Sequence, residues 1–378
     1  MIRPATIEDL DNLVRLENLC FDTDRISRRS FRYLITKGNA AILVEEEDST
    51  LRGDVVILFN NGISLARLYS LAVAKEYRGT GIGIQLVKAA EKVANEHDCI
   101  YMRLEVRKDN TPSINLFKKA GYKQFGVLMD YYEDHMDALR FEKSLAPQLN
   151  LDMVRVPFYE QTLEFTCGPS AIMMAMKALE PELILDRKLE LRIWRESTTI
   201  FMTSGHGGCG PYGLALAAYH RGFGVEVYVN DYGALFVDSV RSPDKKEVMR
   251  LAHEDFREEI EKLPIKLTYG TLNVAEIQEK FEEGGIPIVL ISSYRIYREK
   301  FPHWIVVTGF DDKYIYVHDP YIDYESNKTL TESANMPILK KDFERMAQYG
   351  KAGQKAVLIL KKPEKGIREV IHKGKIVA

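Results

Sequence analysis

Read for the spacing of its apolar residues, the chain divides into two halves of different rhythm. From residue 1 to about 145, helix-like and strand-like stretches alternate. Ile7, Leu10, Leu13 and Leu16 share one face of a predicted amphipathic helix over Thr6–Leu19. Strand-like runs follow at Ala40–Val44, Gly53–Phe59 and Ile63–Val73. Next come a helix from Gly81 to about Asn95, a strand at Ile100–Val106, and a helix from Thr111 to Ala120 ended by Gly121. Two last strands are predicted near Lys123–Tyr132 and Ala138–Lys143, and the alternation as a whole predicts a mixed α/β unit.

Ser144 to Met153 loses both periodicities and carries Pro147, which places a linker at residues 146–153 between units at 1–145 and 154–378. In the second unit, helix-like segments at Gly168–Leu179, Tyr212–Arg221 and Val274–Glu283 come first. Strands at Ile288–Ile291, Trp304–Phe310, Tyr314–Val317 and Ala356–Leu360 come later, an order that predicts an α+β unit.

Composition narrows the function classes. A chain of 378 residues exceeds the roughly 100–200 of a single domain. At 46% hydrophobic and 28% charged residues, both units are expected to bury real cores. With 52 basic against 55 acidic residues there is no basic footprint, so no nucleic-acid partner is expected. No window approaches the ~20 apolar residues of a bilayer span, and no apolar stretch follows a basic start; no membrane partner and a cytoplasmic location are expected. Cys20, Cys99, Cys167 and Cys209 form no CxxC pair, which predicts free thiols in a reducing compartment and no metal site.

The string Tyr77-Arg78-Gly79-Thr80-Gly81-Ile82-Gly83 follows a strand and opens a helix. Glycines there let backbone approach an anion, the first helical N–H groups point at it, and Arg78 adds a charge. Alone, this turn suits a Rossmann fingerprint or a plain tight turn equally well. Its neighbours are Leu68-Tyr69-Ser70-Leu71-Ala72-Val73, Leu104-Glu105-Val106-Arg107, Asn110, and Phe117 four residues before Gly121-Tyr122. In order and spacing this set resembles the Gcn5-related N-acetyltransferase family, above all its ribosomal-protein N-terminal acetyltransferase branch.

That resemblance implies acetyl-CoA as co-substrate and a protein or peptide amine as acceptor. It implies that the backbone of Leu71 and Val73 pairs with the pantetheine arm and that Arg78, Gly79, Gly81 and Gly83 hold the pyrophosphate. Asn110 would sit near the thiol end, and Glu105 would be the general base, directly or through water. Where that branch has a tyrosine as general acid, this chain has Phe117. A regular strand through Tyr131 and Tyr132 points one of the two into the cleft, and Tyr131 stands as the replacement acid.

In the second unit, Gln161-Thr-Leu-Glu-Phe-Thr-Cys167-Gly168-Pro169 puts a cysteine at the mouth of a helix. Such a position lowers a thiol pKa, and a glutamine six residues upstream can join the cysteine N–H in an oxyanion hole. His303, 136 residues downstream, is the expected base, and Asp319, on the neighbouring strand, its orienting acceptor. The pattern resembles the papain-like double-glycine leader peptidases that trim bacteriocin precursors, which implies a thiol peptidase of papain-like fold. His206 and Cys209, in a second Cys-Gly-Pro string, read as a rival dyad, half a metal site or a glycine-rich cleft rim, the last being favoured. His318 is expected to point off the opposite strand face, away from the chemistry.

Overall fold

The computed structural model describes residues 1–48, 50–145, 152–153, 156–199, 207–237, 240–324 and 328–362. Contacts cluster into two compact units, Met1–Leu149 and Asn150–Ala378. Of the predicted linker, residues 146–151 lie outside the described residues. Asp152–Met153 are not linker: they form a short strand of the second unit, paired with Phe310 and Gly309.

The first unit runs β1 (Ile2–Pro4), α1 (Leu10–Cys20), α2 (Arg28–Thr36), β2 (Ala40–Glu47), β3 (Thr50–Phe59), β4 (Leu65–Val73), α3 (Ile82–Glu96), β5 (Tyr101–Arg107), α4 (Thr111–Lys119), β6 (Lys123–Leu128) and β7 (Ala138–Ser144). Its sheet has the order β1-β2-β3-β4-β5-β7-β6. Alternation along β3 splits the core in two: Val55 and Ile57 pack with Leu86 and Val87 of α3, whereas Val56 packs with Leu13 and Leu16 of α1. The one parallel junction, β4 with β5, is joined only from Leu65↔Tyr101 to Arg67↔Arg103. Beyond Arg67 the two strands part, and among the described residues β4 has only β3 as ladder partner from Leu68 to Val73. The predicted strand to Tyr132 stops at Leu128. Asp130 and His135 take left-handed φ of 56° and 66°, and both Tyr131 and Tyr132 donate their N–H to the Met136 carbonyl in a tight connection.

The second unit runs β8 (Asp152–Met153), α5 (Cys167–Leu179), α6 (Arg187–Ser197), α7 (Pro211–Tyr219), β9 (Gly224–Val229), α8 (Pro243–Glu261), β10 (Lys266–Tyr269), α9 (Val274–Glu282), β11 (Ile286–Ser292), α10 (Tyr294–Tyr297), β12 (Pro302–Phe310), β13 (Tyr314–His318), α11 (Leu330–Ser333), β14 (Met336–Leu339), α12 (Lys340–Met346) and β15 (Ala356–Lys361). Its sheet has the order β10-β9-β15-β11-β12-β13-β14, with β8 added beside β12. α5 is apolar all round, with Gly168 to Met176 buried, which suits a helix sealed between α7 and the sheet. Gly168 permits that closeness: a Cβ there would come within 3.0 Å of Leu214 and 3.2 Å of Trp304.

Candidate active sites

The parting of β4 from β5 makes the first unit's groove. Ala74 donates its N–H to Arg52 of β3, and main-chain groups alternate sides along a strand. Leu71 and Val73 therefore present their N–H and C=O at the open edge. Gly79 and Gly81 follow with φ of 83° and 93°, a backbone that L side chains rarely adopt. Gly81 caps α3 with no side chain covering the first-turn N–H groups, which leaves a concentration of donors there. Gly83 lies inside α3, where a Cβ would touch Leu116 at 3.4 Å. Arg78 folds back and donates Nε–H to the Val73 carbonyl at 3.0 Å. Asn110 is the N-cap of α4, its side chain accepting from the Ser113 N–H.

Glu105, on β5, has its side chain buried and ion-paired with buried Arg67 of β4 at 2.9 Å. The same guanidinium donates Nη2–H to the Tyr131 hydroxyl at 2.8 Å, so Glu105, Arg67 and Tyr131 form one chain of contacts. The alternation argument for Tyr131 and Tyr132 fails, because both lie in the β6–β7 connection; Tyr131 is near Glu105 because Arg67 holds it there. Burial pushes the Tyr132 phenol well up, making it a reluctant proton donor. Phe117 lies in the apolar core, edge-on to Tyr122 at 5.5 Å.

Two acids that sequence reasoning passed over are buried on the α1 side of the sheet. Asp54 of β3 is fully buried with neither carboxylate oxygen hydrogen-bonded, and burial raises its pKa well above the usual range. Glu17 of α1 accepts from the Ile26 N–H at 2.8 Å, and burial pushes it up to about 7. An acid inside an amphipathic helix ordinarily reads as solvated, so Glu17 gives no signal, and Asp54 reads as a polar break in the strand run of β3.

In the second unit, β12 carries His303, and Asp319 follows directly on the last residue of β13, both buried. His303 Nε2 contacts Asp319 Oδ1 at 2.6 Å. Asp319 also accepts from the Tyr297 hydroxyl at 2.7 Å and the Tyr321 N–H at 2.9 Å. With Nε2 engaged, Nδ1 is the nitrogen left to meet the Cys167 thiol at the start of α5. Burial opposes charge on His303, yet Asp319 and Cys167 together outweigh it and raise the imidazole to about 10. Burial likewise opposes charge on Asp319, but His303, Tyr297 and the Tyr321 N–H hold its carboxyl below the usual range. Gln161 is brought alongside by its backbone, which donates to the Pro320 carbonyl at 2.9 Å, and its Nε2 gives one hydrogen to the Leu163 carbonyl.

Cys167, His303, Asp319 and Gln161 thus gather at one place, and Tyr297 joins them without a sequence signal. Cys209 is fully buried, its thiol pushed well up by burial, with its carbonyl bound to Trp304 Nε1 at 3.1 Å. His206 lies outside the described residues. His318 is clamped between the Val156 carbonyl and the Asn335 N–H, 2.8 Å from each. Among the described residues no cluster of three or more His, Cys, Asp or Glu could hold a metal, and no helix is long and apolar enough to cross a membrane.

Comparison with known proteins gives each unit relatives. Residues 8–122 match the acetyltransferase (GNAT) family, and residues 156–361 match the Peptidase_C39 like family. An N-alpha-acetyltransferase of Sulfurisphaera tokodaii is 32% identical over 148 residues, covering 36% of this chain and 88% of that protein. An uncharacterized N-acetyltransferase of Methanocaldococcus jannaschii is 32% identical over 142 residues, covering 37% and 88%. Among solved structures, the Escherichia coli ribosomal-protein-S18-alanine N-acetyltransferase aligns at 18% identity over 39% of this chain and 95% of its own, with a TM-score of 0.36. The chain therefore belongs to the GNAT acetyltransferases through its first unit and to the Peptidase_C39 like family through its second.

Proposed function

We propose that this chain is a bifunctional enzyme: an acetyl-CoA-dependent N-acetyltransferase acting on a protein or peptide amine, joined to a thiol peptidase. The observation that carries the peptidase reading is the line from buried Asp319 through buried His303 to the half-buried Cys167. His303 takes the Cys167 proton, and the thiolate attacks a peptide carbonyl carbon. The resulting oxyanion is met by the Cys167 N–H and the second hydrogen of Gln161 Nε2. His303 returns its proton to the departing amine, then activates the water that releases the acyl group, while Asp319 keeps the ring oriented.

For the acetyltransferase, the open edge at Leu71 and Val73 fits the amide groups of pantetheine. The Gly79–Gly81 turn, the uncapped start of α3 and Arg78 fit its pyrophosphate. A pantetheine arm seated along β4 needs the Val73 carbonyl, so Arg78 has to release it and swing toward the phosphates. Glu105 collects the proton that the acceptor amine loses, through water since the carboxylate is buried, and Arg67 is its counter-charge throughout. The Tyr131 hydroxyl, which Arg67 holds beside Glu105, is the group that gives its proton to the leaving thiolate. N-alpha-acetyltransferase relatives support a protein or peptide α-amine as acceptor.

A peptide library incubated with and without acetyl-CoA and read by mass spectrometry tests both halves. Cleaved products and products heavier by one acetyl group are expected. Transfer of the acyl group to added amines without hydrolysis would instead make the second unit an amide-forming transferase. No covalent Cys167 adduct with any peptide would leave it a recognition module.

A further inference from the structure

Glu190 lies in the first turn of α6, wholly buried in the second unit, and among the described residues no cation faces it in an ion pair. Its oxygens are instead surrounded by groups from one short stretch of chain. Oε1 meets the Thr162 N–H at 2.8 Å, the Thr166 hydroxyl at 2.5 Å and the Ser170 hydroxyl at 3.4 Å. Oε2 meets the Thr162 hydroxyl at 2.7 Å and the Tyr159 hydroxyl at 3.0 Å. An acidic group taken from water without a cation is costly, and this network is what offsets that cost.

The partners are not a random selection. Tyr159 and Thr162 flank Gln161, Thr166 immediately precedes Cys167, and Ser170 is on the first turn of α5. One carboxyl group therefore ties the segment bearing the side-chain oxyanion donor to the helix start bearing the nucleophile and its N–H. The tie extends to the donor itself. The Thr166 hydroxyl also lies 2.8 Å from the Leu163 carbonyl, and that carbonyl receives Gln161 Nε2 at 2.9 Å. Fixing Leu163 fixes one hydrogen of the Gln161 amide and thereby aims the other.

We infer that Glu190 is a positioning residue for the oxyanion hole, setting the direction of the Gln161 amide relative to Cys167. This rests on the peptidase reading above and adds a residue that never touches substrate. Its chemical signature is selective, because only reactions that develop negative charge on a carbonyl oxygen need the hole.

Two reagents for the same thiol separate these cases in the whole 378-residue chain. 4-Nitrophenyl acetate acylates Cys167 through a tetrahedral oxyanion, with 4-nitrophenolate leaving. Iodoacetamide alkylates it by direct displacement of iodide and forms no oxyanion. Rates are taken as the difference from Cys167→Ala, which removes the contribution of the other thiols. Glu190→Ala is expected to slow acylation by up to about 10²-fold, the usual consequence of misplacing a catalytic group by about 1 Å, while alkylation is unchanged. Glu190→Gln, which keeps one acceptor for Thr162, and Thr166→Val, which cuts the link to Leu163, are expected to lie between, again in acylation only. They remain informative where the alanine variant does not fold. Equal loss of both rates, or acylation untouched in all three variants, overturns the inference. If the unsubstituted protein shows no preference of either reagent for Cys167, the peptidase reading itself fails, and Glu190 with it.

Discussion

The two units build their sites from different parts of the chain. The second assembles side chains: a thiol and a carboxamide from one short stretch of chain, an imidazole from β12 and a carboxylate from just after β13, the last two locked by burial. The first exposes main chain: the edge of β4 at Leu71 and Val73, where side chains and not a neighbouring strand meet the Val73 carbonyl, two left-handed glycines and a helix start without a side-chain cap, with few side chains of fixed chemical role. A side-chain site depends on residue identity and fails when one group is removed, whereas a main-chain site depends on conformation and tolerates most changes except those that alter φ and ψ.

The sharpest way to break this contrast is Cys167→Ala, expected to reduce peptide cleavage to background while acetyl transfer continues. Cleavage surviving through Cys209 would put the nucleophile elsewhere. Next in size is Asp319→Asn. His303 should titrate near 10 in the unsubstituted protein and move back toward 6.5 in the variant, as followed by NMR of its ring protons. The alkaline limb of kcat/KM for cleavage should move with it. Stability follows the same sign. A histidine raised in the folded state contributes fully below about pH 6.5, and the contribution is lost as pH climbs through about 10. Asp319, held low, contributes above its ordinary 3.8 and loses this as pH falls below that value. Denaturant midpoints at pH 7 and above pH 10 should show the gap between the two proteins closing at high pH.

In the first unit, Gly81→Val is expected to cost about 1–3 kcal/mol of backbone strain and to lower acetyl-CoA affinity in calorimetry by roughly tenfold or more, with cleavage intact. A Cβ at Gly81 finds only Gln85 Nε2, at 3.8 Å, so the loss comes from conformation and not from collision. Gly81→Asn should therefore retain more binding, since asparagine accepts left-handed φ; equal loss in both variants would point to sterics. The smallest effect is expected from the tyrosines. Tyr131→Phe should reduce acetyl turnover at saturating acetyl-CoA by a factor up to the ~10² that general acid help is worth at the low end. Tyr132→Phe should be close to neutral, and a larger loss there would reverse the assignment.

What was legible in the sequence follows the same division. Cys167 and His303 are scarce residue types at a telling separation, Asp319 falls at the end of the next strand, and Gly79 and Gly81 mark a left-handed turn before α3. α2 went unpredicted because it buries only Phe31, and α8 because of nineteen residues only Met249 and Ile260 are buried, leaving a faint period. Tyr131 was placed by an alternation that needs a regular strand, and the strand ends three residues earlier. Glu190 and Tyr297 gave no signal, because what matters in each is a set of partners remote in sequence.

The parting of β4 from β5 also bears on how the chain survives in solution. A strand with open main-chain groups is a template for any other extended chain, and proteins ordinarily blunt such edges. Under the function proposed above, the cover of this edge is a metabolite. Bound acetyl-CoA would fill the gap and, at a hundredfold excess over its dissociation constant, add about 2.7 kcal/mol to folding stability. Amide exchange from Leu71 and Val73 should then slow, and aggregation on heating should recede, as acetyl-CoA is raised, coupling the durability of the first unit to the supply of its own co-substrate.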